Sequence, residues 1–224
     1  GGEDAVTYFV RQHVKSTWFS QVPVVLASAS GTADFGNTWS VTVSRAADYL
    51  LQTWLEVTTP VITPVAAFKN FWVKNFMHNL VKEVTITFND LVAMKIESSQ
   101  FDFWSAFSVS ASKKAGYDAM IGAGVKTLAA NGQDAVFLHG LDASVSHKLM
   151  LPLPFFFSRE SGIALPTAAL PYNDMRINFT MRTAAELLTA FNETTVAEVP
   201  AVSGTTYSAP ASISLLKARV WANY

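Results

Sequence analysis

Cysteine is the first residue type that this chain lacks, since none occurs among its 224 residues. A disulfide framework and a cysteine-ligated zinc site are therefore both excluded. Charge is also scarce, because only 15% of the residues are charged and the formal net charge is -1. Lys113-Lys114 is the only adjacent basic pair. Domains that bind nucleic acid electrostatically normally carry a basic patch, so the composition argues against a nucleic-acid partner.

Long apolar runs are missing as well. No uninterrupted apolar segment approaches the roughly 18 residues that a membrane-spanning helix needs, and no signal peptide is recognisable. The sequence begins at Gly1-Gly2 without a Met. We therefore expect an excised or processed piece of a longer protein.

Catalytic and cofactor motifs are absent too. The four histidines, His13, His78, His139 and His147, are too far apart in sequence for an HxH or HExxH pair, so a metal site would need long-range convergence. No Gly-x-Ser-x-Gly elbow occurs, and Gly122-x-Gly124 lacks the third glycine of a nucleotide loop. Surface or partly buried histidines are the simpler expectation. The sequence predicts no enzyme, no metal and no cofactor.

Apolar residues in strand-like patterns are what the sequence does contain. Half of the residues are hydrophobic, which is enough for a sizeable core and leaves some apolar surface. Eight segments have strand patterns, at about 18–28, 37–45, 48–59, 83–88, 91–96, 147–157, 174–182 and 212–223. This pattern predicts one large all-β sandwich with insertions, and a barrel is the competing arrangement.

The residues between these segments predict turns and two longer insertions. Asn89-Asp90 joins 83–88 to 91–96 as a hairpin turn, because Asn and Asp tolerate the left-handed conformation. Residues 67–80 have nearly helical spacing of apolar residues. Residues 98–121 are predicted to be partly helical, with Ser98 or Ser99 as N-cap. Residues 122–146 are rich in Gly, Ala and Ser and are predicted to form a loop.

Short motifs follow one another in a fixed order along the chain. A run ending in Pro154-Phe155-Phe156-Phe157 is followed by a Gly-Ile-Ala-Leu-Pro turn and by a strand introduced by Pro-Tyr. The full set is Thr7-Tyr8-Phe9-Val10-Arg11, Asp34-Phe35-Gly36-Asn37, Ser44-Arg45-Ala46-Ala47-Asp48, Pro154 to Phe157, Gly162-Ile163-Ala164-Leu165-Pro166 and Leu170-Pro171-Tyr172-Asn173. As an ordered set these motifs resemble the major capsid proteins of nucleocytoplasmic large DNA viruses.

The resemblance implies a fold and a division of the chain. It implies an eight-stranded antiparallel jelly-roll sandwich, strands B to I in chain order, with sheets BIDG and CHEF and short helices in the D–E and F–G insertions. Residues 1–17 would be an N-terminal arm and 18–224 the first jelly-roll domain. The family carries two jelly rolls, so the second would be absent from this chain.

The resemblance also implies a role and partners. Three full-length chains would form a homotrimer, a pseudo-hexagonal capsomer that tiles an icosahedral shell beside neighbouring capsomers. Minor capsid proteins and an internal membrane would be further partners. The protein would lie in the virion capsid and assemble in the host cytoplasm. The alternative is a β-sandwich module that binds a glycan or a receptor, and a jelly-roll enzyme ranks third.

Aromatic residues supply the candidate subunit interface. In an alternating strand, Phe155, Phe156 and Phe157 must point to both faces, so at least one cannot enter the sandwich core. Two interpretations remain open, namely burial under the 98–121 insertion or contact with another subunit. The candidate interface residues are Tyr8, Phe9, Trp18, Phe155, Phe156 and Phe157. The candidate structural-turn residues are Phe35, Gly36, Asn37, Gly162, Pro166, Pro171 and Tyr172.

Overall fold

The computed structural model describes residues 17–63, 68–124, 126–130, 133–170, 172–192, 197–200 and 213–224. Strands dominate this part of the chain, and the helices are short. The strands are β1 (Pro23–Val25), β2 (Ala27–Ser30), β3 (Thr38–Thr42), β4 (Tyr49–Leu50), β5 (Gln52–Thr58), β6 (Phe68–Trp72), β7 (Val81–Phe88), β8 (Leu91–Glu97), β9 (Lys126–Ala130), β10 (Gln133–His139), β11 (Lys148–Pro152), β12 (Leu165–Pro166), β13 (Met175–Met181), β14 (Leu188–Asn192), β15 (Ala197–Pro200) and β16 (Lys217–Asn223). The helices are α1 (Phe76–Leu80), α2 (Ser98–Ser108), α3 (Ala111–Ile121) and α4 (Ala184–Leu187).

Two antiparallel sheets form the body of the fold. The first has the strand order β1-β16-β5-β11, and the second has the order β2-β3-β13-β7-β8. The segments predicted for strands B, I, D and G supply the first sheet in that order, and those predicted for C, H, E and F supply β3, β13, β7 and β8 of the second. The edge strand β2 of the second sheet comes from the segment predicted for strand B. Smaller sheets, β12-β4, β10-β9 and β15-β14-β6, accompany the two large ones, so the eight predicted segments are not the full set of strands.

The core lies between the two large sheets. In β13 the predicted alternation is present, with every second residue from Met175 to Met181 buried. Trp39 and Phe179 stack across neighbouring strands with ring centroids 4.6 Å apart. On β5 and β11 the residues Leu55 and Leu151 belong to the same core. Removing this apolar surface from water is the main stabilisation of the sandwich.

Two predicted strands are divided in the structure. The segment 18–28 becomes β1 in the first sheet and β2 in the second, with the buried Leu26 at the crossing. The segment 48–59 becomes β4, which pairs with β12, and β5. Strands that pass between packed sheets bend at such corners, and the hydrophobic pattern does not reveal the bend.

The prediction of a helix over 67–80 is wrong for its first half. Residues Phe68–Trp72 form β6, which pairs with β14, and only Phe76–Leu80 are helical. Phe71 and Trp72 are neighbours in sequence, and both are buried. Burial on both faces is typical of a covered strand, and such a short apolar run has no periodicity that separates it from a helix.

The prediction of a loop over 122–146 is also wrong. This segment contains the hairpin β9–β10, whose register is irregular between Gln133 and Phe137. Residues 122–146 are rich in Gly, Ala and Ser, and this composition predicts a loop and not the strands of a hairpin. Gly140 follows the hairpin and lies against the backbone of Trp72. A Cβ at position 140 would overlap the carbonyl oxygen of Trp72, so this close approach requires glycine.

Two element boundaries differ from the prediction. In the segment 147–157 the strand ends at Pro152, so the phenylalanine triplet lies after the strand and not within it. The strand ends there because Pro152 and Pro154 have no N–H group to donate to a neighbouring strand. Helix α2 is capped by Glu97, whose N–H donates to the Gln100 side chain at 2.9 Å. Ser98 is the first helical residue instead, and its hydroxyl donates to the His78 carbonyl at 2.8 Å.

The connections gather at the two ends of the sandwich. At one end the turn before β3, the insertion before α1 and the segment after β13 meet, since Phe35 stacks on Trp72 at 5.6 Å and the Gly36 N–H donates to the Arg182 carbonyl. At the other end the Asn89-Asp90 turn meets the connection between β11 and β13, where the Asp174 N–H donates to Asn89. Both Asn89 and Asp90 have positive φ, as the hairpin prediction requires. Among the described helices, none has both the length and the apolar character needed to cross a membrane.

Candidate assembly surfaces

The N-terminal end of the described chain exposes large aromatic side chains. Trp18 and Phe19 are almost fully exposed. They border an open groove of about 630 Å³. The groove is lined by Thr17, Trp18, Phe19, Ser20, Gln21, Ala47, Asp48, Tyr49, Leu51, Ser161, Ala164 and Tyr224. Of the interface residues predicted from sequence, Trp18 therefore lies on the surface, whereas Tyr8 and Phe9 lie outside the described residues.

The phenylalanine triplet is divided between core and surface. Phe155 and Phe157 are fully buried, with ring centroids 5.7 Å apart, and Phe156 is 46% exposed. A turn beginning at Phe155 produces this division, because the Ser158 N–H donates to its carbonyl at 2.9 Å. Within the triplet, Phe156 is the residue with surface available to another molecule.

The connection between β11 and β13 is fastened to the link between β3 and β4. The Thr167 hydroxyl donates to the Ala47 carbonyl at 2.6 Å. The Arg45 guanidinium donates to the carbonyls of Leu170 and Asn173. The Tyr224 hydroxyl donates to the Ser44 carbonyl, and burial raises the pKa of this tyrosine. The link that contains Arg45 and Ala47 and the connection that contains Thr167 and Leu170 are far apart in sequence, but together they form one end of the sandwich.

The predicted turn residues of the connection between β11 and β13 occupy different settings. Gly162 lies in an exposed 3-10 turn over Ser161–Ile163, and Pro166 lies in β12. Tyr172 is exposed, and Pro171 lies outside the described residues. As far as these residues are described, they do not converge on a cavity that binds a small molecule.

The Phe35-Gly36-Asn37 turn ties the opposite end together. Gly36 has a φ of 70°, in the left-handed region that favours glycine. The Asp34 carboxylate accepts the N–H groups of Phe35 and Leu215, each at 2.8 Å. This carboxylate fixes the entry to β16 against the turn that precedes β3.

A buried polar cluster lies in the insertions, and the sequence patterns do not point to it. His78 is 1% exposed, so the expectation of surface or partly buried histidines is wrong for this residue. Its Nδ1 lies 2.7 Å from Asp102 Oδ1, and its Nε2 lies 2.8 Å from the Tyr117 hydroxyl. Helices α1, α2 and α3 each supply one member. The three residues are widely separated in sequence, so no local spacing marks them.

This cluster has the order of an acid, a base and a hydroxyl, but its environment is that of a structural network. Burial raises the pKa of Tyr117, and the negative charges of Asp102 and Asp118 raise it further. A tyrosine that is buried and so weakly acidic is a poor nucleophile. In the described ranges, no group of three or more acidic or histidine side chains is placed to hold a metal ion.

A second buried polar group lies on the outer face of the first sheet. Glu56 on β5 is 2% exposed, although its strand neighbours Leu55 and Val57 occupy the opposite, core-facing side. Its carboxylate accepts hydrogen bonds from Trp221 Nε1 at 2.6 Å and from Arg219 Nη2 at 3.2 Å, and Lys148 Nζ lies 3.8 Å away. Burial acts to raise the pKa of Glu56. These hydrogen bonds and the charges of Arg219 and Lys148 outweigh it and hold the pKa below its usual value.

Comparison with known proteins decides the family. A family model described as "Major capsid protein N-terminus" matches residues 7–224. The chain belongs to this major capsid protein family. A major capsid protein of Costelytra zealandica iridescent virus is 51% identical over 234 residues, which cover 100% of this chain and 49% of that protein. The major capsid protein of Frog virus 3 is 41% identical over 212 residues, which cover 91% of this chain and 45% of that protein.

Solved capsid protein structures share the fold. The Faustovirus major capsid protein superposes with a TM-score of 0.67 at 10% identity, over 98% of this chain and 56% of that chain. A PBCV-1 virus capsid structure superposes with a TM-score of 0.66 at 19% identity, over 97% of this chain and 45% of that chain. The fold is thus the jelly roll of viral capsid proteins, as predicted. The chain spans about half the length of the relatives that it matches.

Proposed function

We propose that this chain is the first jelly roll of a viral major capsid protein and has a structural, non-enzymatic role. The family match over 7–224 carries this proposal. The sandwich supplies a rigid body through its apolar core. The connections at its two ends supply surfaces that differ from one another. Residues 18–224 form the jelly-roll domain in this proposal, and residues 1–17 form an arm.

The full-length protein, in this proposal, forms a homotrimer. Two sandwiches in each of three chains make a pseudo-hexagonal capsomer, and capsomers pack against one another in an icosahedral shell. The exposed aromatics Trp18, Phe19 and Phe156 support contacts of this kind, because aromatic side chains are enriched at interfaces. Minor capsid proteins and an internal membrane are further proposed partners, and the host cytoplasm is the proposed place of assembly.

Sedimentation and electron microscopy of the full-length protein test this function. We expect a trimer with a hexagonal outline. A stable full-length monomer that binds glycans would overturn the proposal in favour of a binding module. Full-length protein is needed for the test, because half of each hexagon is missing from a single jelly roll.

A further inference from the structure

The outer faces of the two large sheets differ in chemistry. On the second sheet, hydroxyl and amide side chains occupy the outward positions at the centre. Ser40 Oγ lies 2.8 Å from Ser30 Oγ, and Asn178 Nδ2 donates to the hydroxyls of Thr85 and Thr87 at 3.3 and 3.4 Å. These polar groups already bond to one another across the strands, so this face has little need of a partner.

The outer face of the first sheet is aromatic, aliphatic and cationic instead. Strand register sets it out in three rows across β16, β5 and β11. The first row is Trp221, Trp54 and Pro152; the second is Arg219, Glu56 and Met150; the third is Lys217, Thr58 and Lys148. The apolar members are half-buried, which leaves part of each ring or chain open to solvent.

Charge on this face is unbalanced. Three cations, Lys217, Arg219 and Lys148, surround the single carboxylate of Glu56. Glu56 is buried and held from within the sheet by Arg219 and Trp221. The Lys148 side chain is 63% exposed. The face therefore presents positive charge beside an apolar strip, and a partner that fits it carries acidic residues beside an apolar patch.

We propose that the outer face of the first sheet, formed by these three rows, is the surface on which the second sandwich of the capsid polypeptide packs. This inference rests on the proposed function. The relatives extend to about twice the matched length, which is room for a second domain of similar size. Trp54 and Trp221 provide the apolar centre of the contact, because aromatic side chains bury large areas at little entropic cost. Acidic residues of the second sandwich lie opposite Lys148 and Lys217.

Single-cysteine labelling tests the proposal, since this chain has no cysteine of its own. Thr58→Cys places a thiol in the third row, and Thr42→Cys places one on the outer face of the second sheet. Both threonines are half-buried strand residues, so the second variant is a matched control. Each is introduced into the full-length polypeptide, with other cysteines changed to serine. Reaction with a maleimide is then timed in the native monomer, in the assembled capsomer and in denaturant.

We expect Thr58→Cys to react at least about tenfold more slowly than Thr42→Cys, relative to the denatured rates, already in the monomer. A Lys217→Glu variant should reduce this protection, because it places a carboxylate against the acidic partner. Equal rates in every form would overturn the proposal. Protection that arises only on trimer formation would overturn it too, in favour of a second copy. A protected monomer that never forms hexagonal capsomers would support this packing surface and refute the proposed function.

Discussion

The Nε2 atom of His78 lies 2.8 Å from the hydroxyl of Tyr117, and this contact joins the insertion before β7 to the insertion after β8. The Asp102 carboxylate on the other side of the ring accepts from Nδ1–H, and in the neutral imidazole this leaves Nε2 as the acceptor of the tyrosine proton. Each polar atom of the imidazole is therefore satisfied in a buried site. The cluster fixes the relative positions of three short helices.

Tyr117→Phe should destabilise the chain by about 1–3 kcal/mol, because it leaves a buried ring nitrogen without a donor. Urea unfolding measures the change, and faster amide exchange in α3 locates it. Tyr49→Phe is the control, since Tyr49 is exposed. If both variants unfold at the same urea concentration, the hydrogen bond contributes nothing measurable.

Stability should depend on pH through Glu56. Its folded pKa is held below the ordinary value of 4.5, so the carboxylate stabilises the fold fully above that value. This stabilisation is lost as the pH falls through the folded pKa. Glu56→Gln should cost about 1–3 kcal/mol at neutral pH and should flatten the acid limb of a plot of unfolding midpoint against pH. The exposed Glu160→Gln should leave that limb unchanged, and an unchanged limb in Glu56→Gln as well would contradict the prediction.

Two glycine substitutions should have opposite signs. At Gly140, an added Cβ would overlap the Trp72 carbonyl oxygen and lie 2.6 Å from backbone atoms of Val73, so Gly140→Ala should unfold the chain or cost several kcal/mol. At Gly116, inside α3, nothing lies within 4 Å of an added Cβ. Gly116→Ala should therefore stabilise the chain by about 0.5–1 kcal/mol. Thermal melts of the two variants compare them directly. Similar losses at both sites would show that close approach is not what requires glycine at 140.

The phenylalanine triplet gives a test of core against surface. Phe157→Ala should cost about 3–5 kcal/mol, because it removes a fully buried ring. Phe156→Ala should change the free energy of unfolding by much less, since nearly half of the surface of Phe156 is exposed to solvent. If Phe156 contacts another subunit, its variant should fold normally and form fewer capsomers by sedimentation. Normal assembly of Phe156→Ala would remove this residue from the interface.

Much of the body of the sandwich could be predicted from sequence because apolar and polar side chains alternate along several of its strands. Period-two alternation identifies β13 and β3 directly, and Asn89-Asp90 identifies the turn between β7 and β8. The pairing order of the sheets came from resemblance to the capsid family. Periodicity does not specify which strands become neighbours.

The insertions could not be predicted in the same way. In β6 the adjacent residues Phe71 and Trp72 are both buried, which removes the alternation that marks a strand. The partners of His78 come from two other helices, and their convergence depends on how those helices pack. Glu56 is a case in which alternation is present but predicts the wrong burial. Its outward position in an alternating strand predicts exposure, but Arg219 and Trp221 from a distant segment cover it.

The order of strands in the first sheet has a consequence for biosynthesis. β16 lies between β1 and β5, yet its residues are the last of these to be translated; Pro23 pairs with Asn223. Until β16 leaves the ribosome, β1 has no neighbour in its sheet and β5 has an open edge. Unpaired edges are sites of aggregation in partly folded chains. A nascent capsid polypeptide therefore carries these edges through almost the whole synthesis of the domain, and chaperones that shield strands would act on it during that interval.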